Sequence, residues 1–344
     1  MAWVSITFRR SFLRAYTTLG SLAAALGAIS WPRSSPNDES GLPLARPFLA
    51  LPAPPPSTRG RSERRIRLLQ FNLLADGLSG LLPDLGGFSR LSKEGLELSW
   101  AYRRDLILRE VTRLDADLVC LQELDHFHDF LAGEMERRGY LGIFAVKPCS
   151  PCLAVSSRPD GCALFVREEH LRLVSSSTLV YSSASIPDNQ VAILAVLEPA
   201  SRPRSDVAWR LVVATTHLKA TKTAAGEACR ERQVGQLLTA LEGVGEDLLA
   251  EGTADVAFML AGDLNARPDN TETVPALTYA RIKSCSLGLR SVYNDDLGEV
   301  IGAEGISGGL KEEGVYTTWK ARWDPDTGEE KVSKVPAVTF RGVL

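Results

Sequence analysis

The sequence lacks the features of several common classes of protein. No apolar stretch approaches the ~20 residues of a membrane-spanning helix, and the nearest candidate, residues 19–29, is too short. There is no Asn-x-Ser/Thr acceptor for N-glycosylation. Of the six cysteines, Cys120 and Cys162 lie inside apolar runs, which predicts buried free thiols rather than a disulfide framework. These absences favour a reducing, intracellular compartment.

Histidine is scarce and the charge is unevenly distributed. The chain has four histidines, and none follows His217. The formal net charge is −3, although residues 1–37 contain four arginines and neither aspartate nor glutamate. The remainder of the chain is therefore acidic. This argues against a broad, non-specific nucleic-acid surface, but it allows a local basic pocket.

The two N-terminal segments differ from the rest in composition. Residues 1–37, with Arg9, Arg10 and Arg14 and no acids, are typical of a targeting peptide. A mitochondrial or other organelle presequence is favoured over a signal peptide. The alternative is a cytoplasmic protein whose N-terminal tail has no targeting function. Residues 38–63, rich in proline, serine and arginine, predict a linker. The folded domain is expected to occupy residues 64–344.

Apolar runs interleaved with amphipathic stretches predict an α/β protein. Several runs are apolar throughout, which indicates strands covered on both faces. Close spacing of the runs between residues 162 and 216 favours antiparallel pairing, and two packed sheets with helices outside fit best. The predicted strands are 66–71, 117–122, 162–166, 191–197, 211–216 and 256–261, and the predicted helices are 102–114, 226–241 and part of 127–138.

Four apolar runs end in side chains that bind cations or phosphates. They lead to Asn72, to Glu123, to His217, and to Asp263 with Asn265. A buried strand that stops on such a group delivers it to the rim of a sheet, where ligands bind. A set dominated by oxygen suits Mg²⁺ or Mn²⁺ better than Zn²⁺, and His217 can donate to a phosphate oxygen or carry a proton. The natural reaction is metal-assisted hydrolysis of a phosphate ester.

Each of these residues also has a structural explanation when it is taken alone. Asn72 could be a turn residue, Glu123 could pair with an arginine, and His217 could be a satisfied core histidine. Asp263 and Asn265 could cap a loop, whereas the functional interpretation expects an extended backbone on which they share one face, so that one contacts a cation and the other a phosphate oxygen or an attacking water. Those explanations do not account for the fact that every one of these residues follows a buried strand.

The motifs resemble the endonuclease/exonuclease/phosphatase superfamily and, within it, nocturnins and carbon-catabolite-repression-type deadenylases. Lys-Pro-x-Ser-Pro-Cys at 147–152 and His-Leu-Lys-Ala at 217–220 point to the nocturnin type. The resemblance runs from about residue 64 to residue 320. The matching segments are 70–75, 120–125, 147–152, 159–163, 189–192, 216–220, 262–266 and 316–320.

The resemblance implies a fold and a set of roles. The fold would be the four-layer sandwich of pancreatic deoxyribonuclease, with two mostly antiparallel sheets flanked by helices. Glu123 would be the main Mg²⁺ ligand, with Asn72 and Asp263 as further metal ligands and Asn265 beside the scissile phosphate. His217 would bind the phosphate. The substrate-binding residues would be Lys147, Lys219 and Asn189.

Two departures from the resemblance bear on function. Nocturnin-type sequences carry arginine where this chain has Thr221, which removes a bidentate phosphate contact. They also continue to an Asp-Tyr-Ile-type strand and a Ser-Asp-His motif, which residues 334–344 do not match, so the domain is expected to be incomplete at its C-terminus. The expected substrate is a nucleotide such as NADP(H), cleaved at its 2′-phosphate, or the 3′ end of single-stranded poly(A) RNA. The alternative, implied by the absence of the C-terminal Asp and Ser-Asp-His motifs, is an inactive, non-catalytic chain that folds poorly or only binds nucleotide.

Overall fold

The computed structural model describes residues 2–8, 64–79, 96–184, 186–201, 209–291, 316–323, 330–336 and 339–343. The predicted linker and most of the predicted targeting segment lie outside these residues. Residues 2–8 form a strand that pairs with the first strand of the domain. No helix in the described part is long and apolar enough to cross a membrane.

Strands dominate the described part of the chain. They are β1 (Ala2–Phe8), β2 (Arg64–Asn72), β3 (Leu118–Leu124), β4 (Tyr140–Val146), β5 (Gly161–Arg167), β6 (Leu171–Ser183), β7 (Ile186–Pro199), β8 (Trp209–His217), β9 (Asp255–Asp263), β10 (Arg290–Ser291), β11 (Tyr316–Trp323), β12 (Glu330–Pro336) and β13 (Thr339–Val343). The α-helices are α1 (Asp76–Ser79), α2 (Trp100–Arg113), α3 (Ala132–Glu136), α4 (Ala224–Ala250) and α5 (Leu277–Lys283). Shorter turns of helix are Leu96–Leu98, Phe127–Leu131 and Pro151–Ala154.

The strands form two large sheets that are mostly antiparallel. One has the order β1-β2-β3-β5-β4, and the other has the order β10-β13-β9-β8-β7-β6. Among the described neighbours, β2 with β3 in the first sheet and β8 with β9 in the second are parallel. Strands β11 and β12 pair separately. The prediction of two mostly antiparallel sheets is confirmed.

Apolar residues fill three layers of core. Alternate residues of the two sheets, such as Leu68 and Met259, pack between the sheets. The opposite face of the first sheet packs against α2 through Ile107 and Val111, and the opposite face of the second packs against α4 through Leu237. The order is helix, sheet, sheet, helix, which confirms the four-layer sandwich.

All six predicted strands form, and they extend one or more residues beyond the predicted ends except at the start of β3, which begins at Leu118 rather than at residue 117. Helix α2 begins where Ser99 Oγ accepts the backbone N–H of Tyr102, and α4 begins where Thr223 Oγ1 accepts that of Gly226. The third predicted helix forms over part of its range, as the short helix α3, and a π turn precedes it. Strands β4 and β6 were not predicted, and β6 is an edge strand whose exposed Ser175–Ser177 run lacks apolar alternation.

Candidate active site

The candidate site lies where two pairs of parallel strands end. Asn72 is the last residue of β2, and it pairs with Gln122 of β3. His217 and Asp263 are the last residues of β8 and β9, and they lie side by side in the register. Glu123 is the penultimate residue of β3. Because the carboxyl ends of parallel strands meet at one edge, these predicted side chains reach the same rim.

Two carboxylates from different sheets converge on the Asn72 side chain. Asn72 Nδ2 donates to Glu123 Oε1 at 2.7 Å and to Asp263 Oδ2 at 2.9 Å. Carboxylates this close repel each other unless a donor or a cation lies between them. The rim is therefore a point of concentrated negative charge.

The backbone at this rim is strained. Glu123 has a φ of 52° and lies at an irregularity in the pairing of β3 with β5. Leu74 and Asn265 also have positive φ values, 59° and 50°. Left-handed backbone at residues other than glycine costs free energy and clusters at functional sites.

The expectation of an extended backbone from Asp263 to Asn265 is wrong. Asn265 is left-handed, and its backbone N–H donates to Asp263 Oδ1 at 3.1 Å, which closes a turn. Asn265 Nδ2 donates to the carbonyl oxygen of Leu218 at 3.1 Å. Both side chains still lie at the rim, because the turn folds Asn265 back onto the loop that follows β8.

The orientation of the Asn72 amide bears on its predicted role as a metal ligand. Asn72 Oδ1 accepts the backbone N–H of Leu74 at 3.0 Å. The amide nitrogen, rather than the oxygen, therefore faces the carboxylates of Glu123 and Asp263. A cation could receive the oxygen only after the amide rotates.

His217 is buried at the rim and incompletely bonded. Its Nε2 lies 3.8 Å from Glu123 Oε1. Its Nδ1 is buried and has no hydrogen-bond partner among the described residues. A core histidine with both nitrogens satisfied is therefore not what the structure shows. A buried nitrogen without a partner costs about 1–3 kcal/mol.

The three predicted substrate-binding residues have different surroundings. Lys147 is buried, and its Nζ lies 2.5 Å from Asp160 Oδ2. Burial lowers the pKa of Lys147, but Asp160 and Glu123 outweigh burial and hold the pKa above its ordinary value. The Lys219 side chain is exposed, whereas Asn189 Oδ1 accepts the backbone N–H of Cys149 at 2.8 Å.

A buried polar stripe on α4 supports the loop that carries Lys219, and the sequence reasoning missed it. Arg230 Nη1 donates to the carbonyl oxygens of Lys219 at 2.8 Å and Thr221 at 2.6 Å. Gln233 Oε1 accepts the backbone N–H of Lys219 at 3.1 Å. The available signal was the placement of Glu227, Arg230 and Gln233 at intervals of three on the inward face of a predicted helix.

The donor set suits a hard cation that keeps part of its water shell. No group of three or more His, Cys, Asp or Glu side chains in metal-binding geometry occurs in the described ranges. Glu123 and Asp263 therefore supply the charge, with amide oxygens nearby. Mg²⁺ is commonly bound by one or two carboxylates together with water and substrate phosphate oxygens. The residues present fit such an ion.

A family model for endonucleases, exonucleases and phosphatases matches residues 69–329. The chain belongs to the endonuclease/exonuclease/phosphatase family. It is 37% identical to nocturnin of Drosophila melanogaster over 276 residues, which cover 77% of this chain and 39% of that protein. It is 29% identical to carbon catabolite repressor protein 4 homolog 2 of Arabidopsis thaliana over 264 residues, covering 63% of this chain and 41% of that protein.

A solved relative shares this fold. The human nocturnin catalytic domain with bound sulfate anion superposes with a TM-score of 0.55 and 27% identity, covering 81% of this chain and 93% of that domain. The chain spans between 39% and 64% of the length of the curated nocturnins that it matches. The predicted membership of the superfamily and likeness to nocturnins are confirmed.

Proposed function

We propose that the protein is a divalent-metal-dependent hydrolase of phosphate esters in nucleotides or RNA. The observation that carries this proposal is the convergence of Glu123 and Asp263 on one donor beside His217, whose Nε2 lies 3.8 Å from Glu123 Oε1. Paired carboxylates attract a cation, and a buried donor attracts an anion. A phosphate ester bound to a metal ion supplies both the cation and the anion.

Mg²⁺, or Mn²⁺ in its place, would be held by Glu123 and Asp263, with Asn265 as a neutral oxygen donor. Asn72 would join them as an oxygen donor only after its amide rotates. Such an ion neutralises charge on the phosphate and lowers the pKa of a bound water. His217 then donates to a phosphate oxygen through Nε2, the ring nitrogen that lies 3.8 Å from Glu123 Oε1. Its burial makes that bond stronger than it would be in water.

Lys219 and Lys147 are proposed to act differently on the substrate. Lys219 is exposed next to the rim and serves as a point charge for phosphate. Lys147 already pairs with Asp160, so its positive charge reaches the site as part of a buried ion pair rather than as a free contact. Asn189 fixes the backbone at Cys149, close to Lys147 in the chain.

For the substrate we propose a nucleotide 2′-phosphate, as in NADP(H), ahead of poly(A) RNA. The support is the greater identity to nocturnins than to the carbon catabolite repressor homologue, together with the acidic character of the chain. Cleavage from the 3′ end of single-stranded poly(A) is the second candidate, which the 29% identity to that homologue supports. Because Thr221 cannot make a bidentate phosphate contact, 2′-phosphate affinity should be weaker than with arginine.

The test is release of phosphate from NADP⁺ and of AMP from oligo(A) by the purified full chain, with and without Mg²⁺. Glu123→Gln removes a charge at the rim, and Glu169→Gln removes one from the exposed turn between β5 and β6 as a matched control. We expect Mg²⁺-dependent turnover that Glu123→Gln abolishes and Glu169→Gln leaves intact. Nucleotide binding without turnover in the unmodified chain would instead support the non-catalytic alternative.

A further inference from the structure

A partly buried arginine on α2 supports the loop that follows Asn72. Arg103 is 12% exposed at its side chain. Its Nη1 donates to the carbonyl oxygens of Leu73 at 3.0 Å and Leu74 at 2.7 Å. Its Nε donates to the carbonyl oxygen of Leu98 at 3.0 Å. One guanidinium therefore joins this loop to the chain segment that leads into α2.

The loop that Arg103 supports controls the direction of the Asn72 side chain. Leu74 has a φ of 59°, a conformation that leucine adopts only when its surroundings compensate for the strain. In this conformation the backbone N–H of Leu74 reaches Asn72 Oδ1 at 3.0 Å. With its oxygen fixed, Asn72 must direct Nδ2 at Glu123 and Asp263.

Asp125 supports the next part of the same loop. Its Oδ1 accepts the backbone N–H of Asp76 at 3.1 Å, and its Oδ2 accepts that of Gly77 at 2.9 Å. Asp125 is itself buried. Burial lowers the pKa of Arg103, and Asp76, Asp125 and Glu123 oppose that effect. Burial outweighs these carboxylates, so the pKa of Arg103 stays below its ordinary value.

We propose that Arg103 is a positioning residue which, together with Asp125, holds the loop from Leu73 to Gly77 so that the Asn72 amide faces the two carboxylates. The orientation follows from contacts within this chain. Its consequence for turnover rests on the proposed function. Arg103 is a residue that acts through Asn72, because its described bonds go to loop carbonyls rather than to the rim.

Lysine cannot perform this role. Arginine presents five donors in a planar fork, and here that fork reaches three carbonyl oxygens in two chain segments. A lysine ammonium places its donors at one point, so it cannot span Leu98 and Leu74 together. Arg103→Lys therefore preserves the charge and removes the geometry.

The decisive measurement follows the Asn72 amide directly. The chain has only six asparagines, so selective ¹⁵N labelling of asparagine gives few side-chain amide signals in an NMR spectrum, and Asn72→Asp identifies those of Asn72. We expect the Asn72 signals to move in Arg103→Lys. They should stay in place in Arg104→Lys, which alters an exposed neighbour paired with Asp105 at 3.6 Å.

Unmoved Asn72 signals in a folded Arg103→Lys protein would overturn the proposal. If Arg103→Lys does not fold, Asp125→Asn serves the same test, because it weakens one of the two backbone contacts and preserves the shape of the side chain. This measurement needs no metal and no turnover. Its outcome is therefore separate from that of the proposed function.

Activity provides the second readout. Loss of a group that orients a metal-site residue commonly costs about 10- to 100-fold in activity or metal affinity, so we expect kcat to fall by that factor in Arg103→Lys with KM little changed. Added methylguanidinium should partly restore Arg103→Ala but not Glu123→Gln. A fall caused by general loss of stability would not respond to methylguanidinium, and that result would contradict the positioning role.

Discussion

His217 combines deep burial with an unsatisfied ring nitrogen. It is 7% exposed, and its Nδ1 has no partner in the described part of the chain. Its Nε2 lies 3.8 Å from Glu123, which is too far for a hydrogen bond. A fold gains little stability from a group in this state, so the reason to retain it lies in a ligand.

His217→Asn should therefore affect activity more than stability. Removing one donor to a developing charge costs about 10²–10³ in kcat. We expect that loss, together with a change of about 1 kcal/mol or less in the free energy of unfolding, because no described bond to Nδ1 is lost. Steady-state kinetics and urea unfolding measure the two quantities. A protein that unfolds readily but turns over normally would contradict this assignment.

For the ion pair of Lys147 and Asp160 we expect the opposite of His217, namely a large effect on stability. Asp160 is fully buried and bonds both Lys147 Nζ and Ser150 Oγ. Asp160→Asn leaves a buried cation without its counter-charge, which costs about 3–5 kcal/mol in the free energy of unfolding. Urea unfolding should show this loss, whereas the exposed control Glu169→Gln should show almost none.

The pH dependence of that loss follows from the raised pKa of Lys147. A group whose pKa is higher in the folded state contributes stability below its unfolded pKa, about 10.4 for lysine, and loses it as pH rises through the folded value. The difference in free energy of unfolding between the unmodified protein and Asp160→Asn should therefore be constant at neutral pH and shrink in strong base. A difference that grows with pH would show that Lys147 is not the partner.

At the scale of single residues, the sequence predicted which side chains meet but not how they are held. Asn72, Glu123, His217 and Asp263 were recognisable because each ends an apolar strand. The left-handed backbone of Glu123 could not be recognised from the sequence, because no residue next to it indicates a positive φ. Contacts such as that of Arg103 with Leu74 depend on packing between separate segments, which local patterns do not encode.

At the scale of elements, α4 does more than cover a sheet. Gln233 is fully buried, and its amide joins three segments by accepting from the Lys219 backbone and donating to Asp188 Oδ2 at 2.9 Å and Gln190 Oε1 at 3.0 Å. The helix therefore ties the loop after β8 to the first residues of β7. Lys219 depends on that connection for its place beside the rim.

Gln233→Leu should release the Lys219 loop. The substitution retains the bulk and leaves the Lys219 backbone N–H and Gln190 Oε1 without this partner, whereas Asp188 Oδ2 still accepts from Arg232. The free energy of unfolding should therefore fall by about 1–3 kcal/mol. Because Lys219 is proposed to bind substrate rather than to stabilise the transition state, KM should rise more than kcat falls. Glu246→Gln, an exposed position on the same helix, is the control. Equal effects of both variants on KM would argue against the connection.

Elements with strong apolar patterns were predictable, and their ends were not. The central strands form as predicted because both of their faces are covered. The edge strand β6 was missed, since its serine-rich face meets no apolar neighbour. The helix predicted within 127–138 forms only over Ala132–Glu136, after a π turn. His126, which precedes that turn, stacks on Trp100 at 3.8 Å between ring centroids. That stacking joins elements distant in sequence and could not be inferred locally.

At the scale of the whole molecule, the N-terminal residues have two proposed roles. The composition of residues 1–37 favours an organelle targeting peptide, whereas residues 2–8 pair with β2 along its length. A reporter fused to residues 1–56 should be delivered to an organelle. Imported full chain should lack the segment on mass spectrometry. A reporter spread evenly through the cytosol would rule out the organelle proposal and leave the strand pairing as the role of these residues.

The proposed metal site depends on the whole sandwich, because the packing of the two sheets brings two pairs of parallel strands to one rim. Glu123 arrives from the first sheet and Asp263 from the second, so the charged point exists only when the sheets are packed together. A rim of this kind should bind a divalent cation in the folded chain and lose it with either carboxylate.

Calorimetric titration of the full chain with Mn²⁺ tests this claim most directly. The unmodified protein and the exposed control Glu169→Gln should bind the ion with similar heat. Glu123→Gln and Asp263→Asn should show that heat greatly reduced, because each removes one of the two charges at the rim. Undiminished binding by folded Glu123→Gln and Asp263→Asn proteins would contradict the assignment of this rim as the metal site.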